Sequence, residues 1–239
     1  MSRNSKIVEN PAIRTFVWKN KKTKKDVVLR ETGWYYYDKN ANDGQGDNIK
    51  VDFPLNFIWL ETAQSFTGYS EKEDSGLYSN EILTSPEAVA KYGKKELVLK
   101  CKTKELCKGF YADIKEEAKG YGAKYCNAVY AMMQIEGNWE IVRFLMSGSS
   151  GSAWMSFNNK TQNVRNMISC TGSTEIEMKT GATYEAPVFQ YISVSPEVMD
   201  LAEVKCDMVD EYFDYMFNNP LAKPQEDSHN HMNDDDSNF

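Results

Sequence analysis

The alternation of apolar and polar positions marks short strands along most of the chain. Between Pro11 and Lys19, Ile13, Thr15 and Val17 alternate with Arg14, Phe16 and Trp18, as a strand with two unlike faces requires. Asn20 to Lys25 is a polar, basic turn. Asp26 to Arg30 reads as the returning strand, which makes a hairpin with four lysines at its tip. Trp34-Tyr35-Tyr36-Tyr37 then places rings on both faces of a strand, because successive side chains point opposite ways. Turn residues from Asp38 to Asn48 predict a loop. Ile49 to Leu60 is the strongest strand of this half, with Val51, Phe53, Leu55 and Phe57 on one parity and Ile58 and Leu60 on the other. Pro54 within it predicts an edge position, a bulge or a break into two strands. Residues 61–84 predict a long loop or an insertion.

Farther along, Ser85-Pro86-Glu87 has the form of a helix start, and Gly93 a stop. Glu96 to Lys100 predicts a strand. Lys104 to Lys119 predicts a helix, because Leu106, Phe110 and Ile114 recur at spacing four. Lys124–Ile135 and Trp139–Met146 form the clearest hairpin, joined through Glu136-Gly137-Asn138, and their apolar density predicts the centre of a sheet. Ser147 to Ser152 reads as a turn and Ala153 to Phe157 as a short helix. Ile168–Met178 and Tyr184–Ser193 predict another hairpin. Ser195-Pro196-Glu197 opens a long helix to about Phe217, with Val198, Leu201, Ala202, Val209, Tyr212 and Met216 on its apolar stripe. The expected organisation is a folded domain over 1–217 and a disordered acidic tail over 218–239. The expected fold class is mainly β: a barrel like the OB-fold, with inserted helices and a long C-terminal helix.

Charge changes this picture by its distribution. The chain of 239 residues has a formal net charge of −7, yet residues 1–30 carry +7 and residues 91–124 carry +5, between segments of −8 and −7. Such blocks are either solvated faces or the walls of a basic groove on an acidic body, the form that a strand of phosphates requires. The five cysteines are irregularly spaced and the two histidines, His229 and His231, lie near the C-terminus, so free thiols in a reducing compartment and no metal site are expected. With no histidine in the folded body, a Ser or Cys nucleophile has no imidazole base. No P-loop and no G-x-G-x-x-G is present. The expectation is therefore a protein that is not an enzyme and carries no cofactor; a metal-dependent nuclease is the enzyme class left standing.

Single strands are held by rings that stack on bases beside cations that track phosphates. Both ingredients are concentrated in Trp18, Lys19, Lys21, Lys22, Lys24, Lys25, Trp34, Tyr35, Tyr36 and Tyr37, with Phe57 and Trp59 on the next strand and Lys100 and Lys102 as a further wall. The chain ends Asn233-Asp234-Asp235-Asp236-Ser237-Asn238-Phe239, three adjacent carboxylates and a last aromatic ring. This ending resembles the tips of phage and bacterial single-stranded DNA-binding proteins. Ser147 to Phe157, Lys179-Thr180-Gly181 and Ala186-Pro187-Val188-Phe189 also look like phage proteins of this kind.

The resemblance implies an OB-type fold, single-stranded DNA as ligand, and a role in phage DNA replication, recombination or repair. It also implies a tail whose Asp234, Asp235, Asp236 and Phe239 recruit replication or recombination proteins. The expected location is the cytoplasm of an infected bacterial host, away from membranes, with homo-oligomerisation left open. A protein-interaction or virion-assembly module with a solubilising tail is the alternative from another class.

Overall fold

The computed structural model describes residues 8–24, 27–160, 166–177, 181 and 183–219. The chain is mainly β, as expected. Its elements in order are β1 (Arg14–Lys19), β2 (Lys22–Lys24), β3 (Val27–Arg30), β4 (Gly33–Asp38), a single turn α1 (Ala41–Gly44), β5 (Asp47–Val51), β6 (Leu55–Ser70) and β7 (Ser75–Ser79). There follow α2 (Pro86–Tyr92), β8 (Leu97–Cys101), β9 (Lys104–Gly109), α3 (Tyr111–Gly120), β10 (Ala123–Ile135), β11 (Asn138–Ser147), α4 (Gly148–Lys160), β12 (Met167–Glu177), β13 (Thr183–Ile192) and α5 (Pro196–Asn218).

One large mixed sheet runs in the order β5-β4-β1-β11-β10-β6-β7-β8-β9. The parallel pair is β1 with β11, where Phe16 faces Phe144. The sheet forks at β6. One edge of this strand pairs with β10 from Phe57 to Gly68, and the other takes β12 at Leu55–Ile58 and β7 at Thr67–Ser70. A bulge at Leu60, opposite the step from Tyr130 to Ala131, switches the parity of β6. Before it Leu55, Phe57 and Trp59 face the side of Val129, Ala131 and Met133; after it Phe66 does so. One long strand therefore contributes to two cores on the same side of the sheet.

The first core gathers Phe16, Trp34, Phe57, Val129, Phe144, Trp154, Ile168 and Cys170 inside a strongly curled half-sheet. Curling brings side chains of β12 and β13 to β1 and β4: Trp34 Nε1 donates to Cys170 Sγ at 3.4 Å, and Trp18 Nε1 to the Glu185 carbonyl at 3.2 Å. No backbone ladder joins these margins among the described residues, because β13 pairs with β12 and β5 with β4. The result is a curled open sheet, and a closed barrel of the OB type is not shown. The second core, Phe66, Leu77, Leu97, Leu99, Ile114 and Ala118, lies under α3. The opposite face carries α5 and α2, through Ala63, Ala88, Tyr130, Val209, Tyr212 and Phe213.

Three sequence expectations fail for identifiable reasons. Residues 61–84 are not a loop: β6 continues to Ser70 and β7 follows, because β10 supplies a matching ladder for a segment whose alternation is masked by Gly68 and small polar residues. Lys104–Gly109 is a strand and not the start of a helix. Lys102 takes φ +52° in the turn that sends β9 back along β8, so the spacing of Leu106, Phe110 and Ile114 is coincidental. Residues 27–30 do not return along β1; they pair with β2 inside the expected turn, and β1 pairs with β4. Helix α4 also begins earlier than expected, at Gly148 in the expected turn. Three others hold: Ser85 Oγ accepts the Ala88 N–H at 3.1 Å, β10 and β11 lie mid-sheet, and the chain breaks at Phe53-Pro54 between β5 and β6. Of the expected tail, 218–239, Asn218 is the last residue of α5 and residues 220–239 lie outside the described residues.

Candidate nucleic-acid interface

Strands β1, β4 and β5 form one margin of the curled half, and their alternation sorts the side chains. Phe16 opposite Tyr36 and Trp18 opposite Trp34 point inward; Val17 opposite Tyr35, and Tyr35 opposite Lys50, point outward. Where this margin meets the β10–β11 turn and the start of β6, the inner face opens into a cleft of about 630 Å³. Its floor is apolar, from Phe16, Leu55 and Ile135, and its rim carries Arg14, Tyr36, Lys50, Asn56 and Trp139. The turn that closes one side is tight, with Glu136 at φ +51° and Gly137 at φ +87°.

The two cations among the cleft's lining stand on different faces of the margin, Arg14 on the inner face with Phe16 and Lys50 on the outer face with Tyr35. The Arg14 guanidinium carbon stands 4.8 Å from the Tyr36 ring centroid, and its Nη2 is 3.1 Å from Glu136 Oε1. Lys50 is paired with Glu31; that hydrogen bond raises the lysine pKa and lowers the carboxyl. Glu136 and Glu31 are 81% and 70% exposed, so each holds its cation at the surface. Exposed pairs of this kind contribute about 0–1 kcal/mol. A phosphate, which accepts the same charge-assisted bonds, can replace either carboxylate with little loss.

The sequence-predicted residues divide into four groups. Trp34 and Phe57 are enclosed in the core and present no free face, which corrects their expected role as stacking platforms. Tyr35 and Lys19 are also buried. The Tyr35 hydroxyl donates to the Glu31 carbonyl at 2.8 Å, and Lys19 Nζ donates to Asn48 Oδ1 at 3.4 Å while lying 6.0 Å from the Tyr35 ring. Trp18, Tyr36, Tyr37 and Trp59 are half-buried. Tyr37 lies against Gly46, where φ is +79° and a Cβ would collide with the hydroxyl. Trp59 packs on Trp154 at 6.0 Å, and its Nε1 finds no acceptor among the described residues. Lys21, Lys22 and Lys24 belong to the β2–β3 ribbon, while Lys25, Asp234, Asp235, Asp236 and Phe239 lie outside the described residues.

Lys100 and Lys102 are in the far half. Strands β11, β10, β6 and β7 separate β8 from β1, roughly 24 Å along the sheet, so they do not wall the same groove. Arg14, Lys50 and Trp139 were not singled out by sequence reasoning. The available signal was a cation at a strand position adjoining aromatic alternation, which is common enough to pass unnoticed.

Among the described residues, no three His, Cys, Asp or Glu side chains come together as a metal site requires, and no helix is long and apolar enough to cross a membrane. Compared with known families, curated proteins and solved structures, the chain matches none.

Proposed function

We propose that the protein binds single-stranded nucleic acid without catalysing a reaction on it, and that the strand enters the cleft at the end of the curled half. The observation that carries this reading is the Arg14–Tyr36 pair, a cation 4.8 Å from a half-buried ring at the mouth of a cleft with an apolar floor. A base on Tyr36 contributes roughly 1–3 kcal/mol, and a neighbouring phosphate displaces Glu136 from Arg14. In this reading the ligand is single-stranded DNA of phage replication or recombination, and the segment ending in Asp234, Asp235, Asp236 and Phe239 recruits partner proteins.

An oligo-dT gel shift at low salt, read together with tryptophan fluorescence, tests it. Binding is expected, with quenching of tryptophan fluorescence and a steep loss of affinity on adding salt. An unchanged mobility and fluorescence at low salt would falsify the proposal.

A further inference from the structure

The β2–β3 ribbon forms a two-stranded sheet of its own, outside the main ladder. Its base is fixed: the Lys21 N–H donates to Thr32 Oγ1 at 3.0 Å, and Thr32 Oγ1 donates to Glu185 Oε1 at 2.8 Å. Beyond the base, Val27, Val28 and Leu29 are 60%, 47% and 56% exposed. Because consecutive strand residues point to opposite faces, neither face of the ribbon is covered by the body. A lone ribbon is marginally stable in water, and its bare aliphatics, Val27 and Leu29 on one face and Val28 on the other, leave both faces partly apolar. The same segment is basic in sequence: residues 21–30 hold Lys21, Lys22, Lys24, Lys25 and Arg30 against Asp26.

The complementary surface is on α5. Val204 and Met208, one turn apart, are 57% and 44% exposed. They are framed by the exposed Asp200, Glu203, Asp207 and Glu211. This helix packs on the opposite side of the sheet from the first core, over β10 and β6. One chain therefore presents a basic aliphatic edge in one place and an acidic aliphatic face in another.

We infer that the ribbon of one copy docks on α5 of a second copy. The match is of both kinds at once, apolar on apolar and opposite charge around it. Ribbon against ribbon or helix against helix would bring like charges together, which disfavours pairing through either surface alone. Ribbon on helix closes as a reciprocal pair or a ring, or continues as an open chain, according to the rotation between copies. This assigns the ribbon to protein contact and leaves the cleft to nucleic acid, so the two readings stand or fall separately.

The test is sedimentation velocity of the full chain, without nucleic acid, at rising protein concentration. The wild type is expected to self-associate at low salt, to a dimer where the docking is reciprocal and to larger mass where it is not. It should revert to monomer near 0.5 M salt, roughly where screening falls to a few ångströms. Val28→Glu disables the ribbon and Met208→Lys disables the helix face, each weakening self-association by at least about tenfold. Mixed together, the two variants retain one working contact and should stop at a heterodimer. If Val28→Glu melts the ribbon, as circular dichroism would show, Met208→Lys with Asp207→Lys tests the helix face alone. A wild type that stays monomeric at low salt overturns the inference. Wild-type association in both variants, with altered oligonucleotide binding in Val28→Glu, overturns it too and gives the ribbon to nucleic acid.

Discussion

The two halves of the sheet that share β6 carry similar ingredients and arrange them differently. In the curled half, Phe16, Trp34, Phe57, Phe144 and Trp154 fill the concave side, with Phe57 and Phe144 centroids 4.7 Å apart, and the sheet bends around them. Bulk on one side forces curvature, and curvature leaves an opening at the end. In the far half the core is mainly aliphatic, Leu77, Leu97, Leu99 and Ile114 with Phe66, and α3 lies across it. Two of its lysines are paired at the surface, Lys104 with Glu73 at 3.4 Å and Lys108 with Glu96 at 3.2 Å, as Arg14 is with Glu136 at 3.1 Å, so ion pairing does not separate the halves. Lysine or arginine beside a ring at the mouth of a concavity is the more informative combination, and in this chain it occurs where the local charge is less conspicuous.

The sharpest way to break this contrast is to remove the bulk. Phe144→Ala is expected to lose about 3–5 kcal/mol in urea unfolding and to lose oligonucleotide binding with the curl. Leu99→Ala in the far half should lose a comparable amount, about 2–5 kcal/mol, while the folded fraction binds as wild type does. If both variants lose binding equally at matched stability, the two halves are not functionally distinct.

Next in size are changes at the cleft. Tyr36→Ala should weaken binding of an oligonucleotide by about 1–3 kcal/mol. Arg14→Ala should weaken it and reduce the salt slope by about 0.7, as one fewer phosphate contact requires on a single strand. Lys100→Ala and Lys102→Ala should leave both quantities within error. Fluorescence titrations at three salt concentrations separate these outcomes.

A pH series probes the region between the halves. Burial raises Cys126 from 9.0 and Tyr125 from 10.0, each to about 12, and raises Tyr130 as well. These groups are neutral in the fold and ionise more readily once unfolded. Their contribution is full below about pH 9 and declines as pH rises toward 12, where the folded groups also lose their protons. Urea midpoints at pH 8, 10 and 11 should fall in that order. The smallest effect expected is that of Lys104→Ala or Lys108→Ala, about 0–1 kcal/mol on stability and none on binding, because both pairs are exposed.

Much of the fold is legible in the sequence where period and chain punctuation agree. β10, β11, α2 and α5 combine a sustained pattern with turn or cap residues, and each was placed to within a few positions. The second half of β6 was illegible because its pairing partner, β10, is distant in sequence, and Gly68 with the polar Thr62, Gln64 and Thr67 hides the alternation. Lys104–Gly109 was misread because three apolar residues happened to match a helical spacing. At the site, the aromatic run was visible but its inward and outward sorting was not, since parity depends on which face the neighbouring strands cover. Trp34 and Tyr36 share a face, yet only Tyr36 reaches the mouth. Charge density points to the ribbon, whereas Arg14 is isolated in sequence and meets the Tyr36 ring only through the pairing of β1 with β4.

The shared strand also bears on how the molecule forms and fails. The β6–β10 ladder cannot close until the chain brings together segments separated by roughly 50 residues, a loop whose entropy costs about 3–4 kcal/mol. Neither half has its inner wall before that step, so the ladder belongs in the rate-limiting nucleus and its disruption should slow folding more than it speeds unfolding. The amides slowest to exchange with solvent are then those of Ala63, Ala128 and Tyr130 along the seam, and the two halves open as one cooperative unit.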